Sequence, residues 1–261
     1  MLILQAIVYG VVQGVTEFLP ISSTAHLILI PWILKWTDPG IVFDVSIHLG
    51  TALAVFIFFY KDWIALIVSG FTKPKSDSGR LFWLLVIATI PGALAGFLLD
   101  PYLDTLRHPL VIAIALIVMG GFLYLADKYF KNKIELKKIT LMQSIIIGLS
   151  QIISVIPGVS RSGITMTTGR SLGIERKSIA KFVFLMSAPL ILGDGIYQII
   201  KDKPFAGDLS FFLVGIITST IVGILSIRFL LTYLSKHSFL FFSIYRLLLG
   251  ILILVLFFIG K

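Results

Sequence analysis

Seven stretches of the chain, residues 2 to 19, 41 to 60, 81 to 99, 109 to 126, 179 to 200, 210 to 231 and 239 to 259, hold almost nothing but apolar side chains. Most reach the roughly 20 residues with which an α-helix crosses the hydrocarbon of a bilayer. Their apolar character is uniform rather than alternating, so they predict helices and not the strands of a membrane barrel. Composition agrees: 57% of the 261 residues are hydrophobic and 13% charged, against about 45–50% and about 25% in soluble domains. The fold class is therefore all-α and integral to a membrane. The chain has no cysteine, which excludes disulfides, thiolate metal sites and cysteine nucleophiles. Residues 1 to 19 carry neither a basic leading segment nor a small-residue cleavage site, so they are expected in the mature fold.

Two stretches interrupt the pattern. Gln13 to His26 (QGVTEFLPISSTAH) gathers an amide, a carboxylate, several hydroxyls, an imidazole and a proline, and Pro157 to Thr168 (PGVSRSGITMTT) adds an arginine and more hydroxyls. Hydrocarbon excludes such clusters unless protein surrounds them or water reaches them. Pro20 should end the helix over 2 to 19, because proline lacks the amide hydrogen and clashes one turn back. Ser22, Ser23 and Thr24 are suited to cap a second helix running to about Trp36. That second helix is short for a crossing, so a re-entrant helix-break-helix hairpin, entering and leaving by one face, fits better than two spans.

The pattern then restarts. Gln143, Gly148 and Gln151 repeat the spacing of Gln5, Gly10 and Gln13, with Pro157 answering Pro20 after a slip of one residue and Ser160 answering Ser23. The expected organisation is an inverted-topology repeat of two halves, about 1–130 and 139–261, each a broken hairpin plus three transmembrane helices. An odd number of crossings per half turns the second half upside down, and such repeats place their broken helices at the bilayer midplane. Loop charge sets the orientation. Lys61, Lys73, Lys75, Arg80, Lys128, Lys131, Lys133, Lys137, Lys138, Arg176, Lys177, Lys181 and Lys236 fall on one face, and Lys35, Arg107, Lys201, Lys203 and Lys261 on the other. The positive-inside rule places the larger group in the cytoplasm and both termini outside. The net charge of +9 is thereby explained, with no basic face interleaved with aromatics to bind nucleic acid. The segment from 70 to 80 is expected to be a flexible loop.

The residues at the breaks carry recognisable chemistry. Gln13 and Glu17, four apart, share a helix face and offer oxygen ligands to magnesium or calcium, or a hydrogen bond between helices. Ser23 and His26, three apart, also share a face: a hydroxyl with its base, an imidazole that attacks phosphorus itself, or a structural histidine. Ser160, Arg161 and Ser162 open a helix whose free amide hydrogens and guanidinium form an anion cradle, with Thr165 one turn further on. Arg161 could instead form a buried ion pair with Glu17 that only fixes the hairpins. Asp44 and His48, Asp194, and Arg246 after Tyr245 could line a cavity, but helix packing explains them as well. Arg170 and Arg228 are expected near the interface, where long side chains snorkel.

At these two stretches the sequence resembles the undecaprenyl-pyrophosphate phosphatase family, bacterial membrane enzymes linked with bacitracin resistance. QGVTEFLPISSTAHL is similar to that family's glutamate-rich motif and serine-histidine segment, and PGVSRSGITMTTG to its arginine motif; FDVSIHLGT and the span pattern extend the likeness over the whole chain. Gln13 stands where many members carry glutamate, and Ala25 where glycine is common. The resemblance implies removal of the terminal phosphate from undecaprenyl pyrophosphate at the outer face of the inner membrane, with a divalent cation, Mg or Ca. It implies central roles for Glu17, Ser23, His26 and Arg161, with Gln13 beside the metal and Ser22, Ser160, Ser162 and Thr165 at the phosphates. The expected step is in-line attack by Ser23 with His26 as base, His26 or a metal-bound water being the alternative nucleophiles. The partners are then the polyprenyl lipid and membrane lipids, with a homodimer left open. The rival class is a transporter or flippase of a prenyl-phosphate lipid, since inverted repeats with broken helices are also a transport architecture.

Overall fold

The computed structural model describes residues 2–99, 102, 105–131, 133–201 and 209–260. Eleven α-helices run through them: α1 (Leu2–Thr16), α2 (Ser23–Leu34), α3 (Ile41–Phe58), α4 (Tyr60–Thr72), α5 (Asp77–Leu99), α6 (Pro109–Tyr129), α7 (Leu141–Ser150), α8 (Arg161–Ser171), α9 (Arg176–Lys201), α10 (Leu209–Tyr233) and α11 (Leu240–Phe258). Among the described residues the only β-pairing is one isolated bridge between Ile134 and Ile174. Six helices, α3, α5, α6, α9, α10 and α11, are long and apolar enough to cross a membrane. Their outer faces stay apolar and exposed, as at Ile217, Ile221 and Leu225 on α10 and Leu248 and Leu252 on α11. Soluble monomers rarely leave so much apolar surface uncovered, and lipid is the solvent that suits it.

The first helix is shorter than the apolar run that encodes it. It stops at Thr16 rather than near residue 19, because the ring of Pro20 would collide with the carbonyl four residues back, which is that of Thr16. A turn over 17–20 leads into α2, which ends at Leu34 with Lys35 in the left-handed region. The second interruption is built differently. Here α7 tightens into a 3-10 turn, Gln151–Val155, before the chain reverses into α8.

The 70–80 segment is not a flexible loop. The amphipathic helix α4 fills residues 60 to 72 and α5 begins at Asp77, with Gly79 packed so closely that a Cβ would lie 2.3 Å from the carbonyl of Lys73. The stretch KDWIALIVSGFT carries a helical period but is too short to cross, so span counting passes over it. Arg170 also departs from expectation. It does not snorkel but lies 4% exposed against buried Asp127 at the end of α6, which accepts hydrogen bonds from Arg170 (3.1 Å), Arg176 (2.6 Å) and the Phe239 amide (2.9 Å). The ends of α6 and α8 and the starts of α9 and α11 are tied there. Of the loop cations used for orientation, Lys203 and Lys261 lie outside the described residues.

Packing is reciprocal. Helix α1 lies on α10 and α7 on α5; α3 packs on α10 and α5 on α9; α3 meets α9, and α6 meets α11. Glycine permits two of these approaches. A Cβ at Gly10 would stand 2.9 Å from the Gly215 carbonyl on α10, and one at Gly148 would stand 2.7 Å from the Ala88 carbonyl on α5. Backbone cannot yield as a flexible side chain can, so both seats require the absent side chain. The largest buried apolar cluster joins Phe18, Val55 and Leu85 to Phe182, Phe184 and Phe242, and it packs beside the interruptions.

Candidate active site

Each interruption ends on a serine in the left-handed region, Ser22 at φ 76° and Ser160 at φ 72°. That conformation crowds a Cβ against the backbone. The hydroxyl offsets some of the strain by capping the helix that follows: Ser22 Oγ accepts from the Ala25 amide at 3.4 Å, and Ser160 Oγ from the Gly163 amide at 3.1 Å. Ser160 therefore answers Ser22, not Ser23 as the sequence spacing suggested. The pairs Gln5 and Gln143, Gly10 and Gly148, Gln13 and Gln151, and Ser22 and Ser160 then all stand 138 positions apart with no slip. On this register Ser23 corresponds to Arg161. Both lead the first turn of a helix, where amide hydrogens lack an intrahelical acceptor and favour an anion.

Glu17 joins the two interruptions. One carboxylate oxygen, Oε1, takes an ion pair from Arg161 Nη2. The other, Oε2, accepts hydrogen bonds from Ser23 Oγ at 2.7 Å and Gln13 Nε2 at 3.1 Å, with His48 Nε2 at 3.6 Å. Ser162 Oγ crosses back to the Leu19 carbonyl at 3.1 Å and lies 3.2 Å from Ser160 Oγ. A cavity of about 410 Å³ opens over this cluster. Glu17, Ser22, Ser23, Ser160, Arg161 and Ser162 give it polar lining, and Gly92, Ala93, Phe97, Leu190 and Ile191 of α5 and α9 apolar lining. Such a pocket accepts a ligand with an anionic head and an apolar body.

Three expected site residues are placed differently. His26 shares the helix of Ser23 but does not reach its hydroxyl, because both ring nitrogens are engaged elsewhere: Nδ1 lies 2.7 Å from the Ser22 carbonyl and Nε2 2.7 Å from the Tyr245 hydroxyl. The side chain that Ser23 Oγ does reach is the Glu17 carboxylate. Thr165 is fully buried and turns its hydroxyl back onto the carbonyls of Arg161 (2.6 Å) and Ser162 (3.3 Å), so it supports the helix and does not face the cavity. Gln13 lies behind Glu17, also fully buried, with its Nε2 toward Glu17 and its Oε1 without a hydrogen-bond partner.

That unpartnered amide oxygen beside a carboxylate suits a hard cation. Among the described residues no three histidines or carboxylates cluster as a metal site. Gln13 Oε1 and the Glu17 carboxylate are the oxygen donors here that could hold such an ion. The cavity is also lined by His48, which lies beside Glu17, and by Asp194, two residues for which the sequence supports site and packing equally. An ionisable side chain inside a span is the signal that could have promoted them.

A multi-pass all-α membrane protein with carboxylate, hydroxyl and guanidinium drawn from two interrupted helices into one cavity has the parts of a membrane-embedded phosphate-handling protein. The family described as bacitracin resistance protein BacA matches residues 6–252, and the chain belongs to it. The chain is 50% identical over 253 residues to an undecaprenyl-diphosphatase of Desulforudis audaxviator, with 97% of each chain covered. It is 49% identical over 262 residues to that of Moorella thermoacetica, each covered in full, and 49% over 253 residues to that of Caldicellulosiruptor bescii, 96% of each covered.

Proposed function

We infer that this chain is an undecaprenyl-diphosphatase, a hydrolase that removes the terminal phosphate of undecaprenyl diphosphate and returns the monophosphate carrier to cell-wall synthesis. Family membership and relatives of near half identity over the full length support the activity. The observation that carries the mechanism is Ser23 Oγ held 2.7 Å from Glu17 Oε2 while Arg161 pairs with Oε1.

The diphosphate binds against the polar lining residues of the cavity and its prenyl chain lies along the apolar ones. Its oxygens take Arg161 and the free amides that open α2 and α8, with Ser22, Ser160 and Ser162 around them. Arg161 is thereby drawn from Glu17, whose carboxylate becomes a stronger acceptor for the Ser23 proton. Ser23 Oγ then bonds to the terminal phosphorus, the bond from phosphorus to the bridging oxygen breaks, and undecaprenyl phosphate departs. Glu17 passes the Ser23 proton to the departing undecaprenyl phosphate. Water then gives a proton to Glu17 as it bonds to phosphorus, the bond from phosphorus to Ser23 Oγ breaks, Oγ takes that proton back and phosphate leaves. Glu17 and Gln13 Oε1 would hold a divalent cation, Mg or Ca, which when bound neutralises charge on the phosphate oxygens.

The chain lies in the inner membrane as two inverted halves, 1–130 and 139–261, and the cavity opens to the outer face. The constant 138-residue register, the reciprocal packing and the unequal loop charge support this arrangement. So does length: α2, with 12 residues, spans about 18 Å against about 30 Å of hydrocarbon. The test is phosphate release from detergent-solubilised protein given undecaprenyl diphosphate. With no bilayer to cross, a flippase lacking catalysis releases none.

A further inference from the structure

Arg246, on α11, is the largest side chain buried to 0% exposure, and the mechanism above makes no use of it. Among the described residues no carboxylate meets its guanidinium. Instead Nη1 donates to the Pro20 carbonyl at 3.1 Å, and Nη2 donates to those of Gly158 at 2.8 Å and Val159 at 2.9 Å. Longer contacts reach the carbonyls of Leu116 and Ala115 on α6, at 3.4 and 3.5 Å. A guanidinium withdrawn from water without an opposite charge is costly to keep. Holding helices together would not require it, since neutral side chains also donate hydrogen bonds.

The position of its acceptors shows what the fork does. Pro20 and Gly158 are 138 positions apart, the same register as the two capping serines, and each precedes its serine by two residues. One planar group therefore grips corresponding carbonyls of the two interruptions, one with each terminal nitrogen. Its rigid geometry fixes their spacing as three rotatable ammonium hydrogens cannot. The residue after each serine is Ser23 in one interruption and Arg161 in the other. The neighbouring Tyr245 binds His26, which holds the carbonyl of Ser22, so two consecutive residues of α11 brace the first cap.

We propose that Arg246 is a positioning residue for the hydrolysis: by bridging Pro20 and Gly158 it sets the separation at which Ser23 and Arg161 face each other across Glu17. It does not touch the substrate. Its effect falls on the alignment needed in the transition state more than on ground-state binding. This inference rests on the roles given to Ser23 and Arg161.

The experiment counts substrate-binding sites with a non-hydrolysable prenyl methylenebisphosphonate and measures phosphate release per site for the parent, Arg246→Lys and Ser23→Ala in detergent. Counting sites removes unfolded protein, so a substitution that only destabilises leaves turnover per site unchanged. Arg246→Lys is expected to lose at least tenfold in turnover per site while its affinity for the bisphosphonate stays within threefold. Turnover within twofold of the parent overturns the assignment, and so does an affinity that falls as far as turnover. If Arg246→Lys yields no folded protein, Gly163→Ala takes its place, because a Cβ there would lie 2.6 Å from Arg246 Nη1 and displace the fork without removing its charge. The same two criteria then apply. Ser23→Ala separates the two levels: if it keeps normal turnover the site reading itself fails, whereas its loss beside a normal Arg246→Lys defeats only the positioning role.

Discussion

The two interruptions are alike in backbone and opposite in charge. Each begins with a glutamine 138 positions from its counterpart, each turns on a serine near φ 74°, at 76° and 72°, and each starts a short helix capped by that serine. The first contributes a carboxylate and the hydroxyl it holds, and the second a guanidinium. Where Glu17 stands in the first interruption, the second has Val155. Common geometry supplies two serine-capped helix starts, and the differences supply a carboxylate, a hydroxyl and a guanidinium. Similar scaffolds here do unlike chemistry.

The strongest way to break this comparison is to remove its charged members. Glu17→Gln abolishes the acceptor for the Ser23 proton, and a loss of about 10²–10⁴-fold in turnover is expected. Arg161→Lys keeps the charge but not the bidentate fork, and about 10²-fold is expected, the scale of a lost charge-stabilising donor. Phosphate release in detergent measures both. Near-normal turnover in either variant removes that residue from the site.

A smaller effect tests whether His26 belongs to the chemistry or to the frame. Its ring nitrogens are held by Ser22 and Tyr245 rather than by Ser23. His26→Gln and Tyr245→Phe should therefore lose turnover together, by roughly tenfold or less against the 10²–10⁴-fold span of a general base. The limb of the pH–rate profile should not move in either. Disappearance of a titrating limb in His26→Gln alone would return the histidine to the role of base.

The smallest effect sharpens the likeness itself. Replacing Ser22 or Ser160 by alanine removes a cap and keeps the crowded Cβ, so each should cost about 1–2 kcal/mol of stability. Glycine loses the cap but relieves the strain, and should cost only a few tenths. Thermal melting in detergent reads both pairs. Unequal costs at the two positions would show that the serines are not equivalent.

How much of this was legible beforehand depended on the range of the interaction. The six spans were legible because lipid demands uniformly apolar helices. The meeting of Glu17 with Arg161 followed from chemistry, since an intramembrane carboxylate and guanidinium rarely stand apart. The direction of His26 was not legible. Face-sharing three residues apart says which neighbours are near on one helix, but the partner that captured its ring lies 219 residues away on α11. Arg246 was hidden for the same reason: its acceptors are backbone carbonyls, and no residue type in the sequence marks them. Helix α4 was missed because a 13-residue amphipathic helix following a span resembles a loop to any count of crossings.

The ion pair of Glu17 with Arg161 bears on how such a protein can be assembled at all. If two identical half-length subunits met on a dyad, each residue near the axis would face its own copy, carboxylate against carboxylate or guanidinium against guanidinium. Such a dimer has no means of setting a single acid beside a single base at its centre. Two interruptions of unequal sequence on one chain lift that restriction, and covalent linkage guarantees that one of each kind is always present.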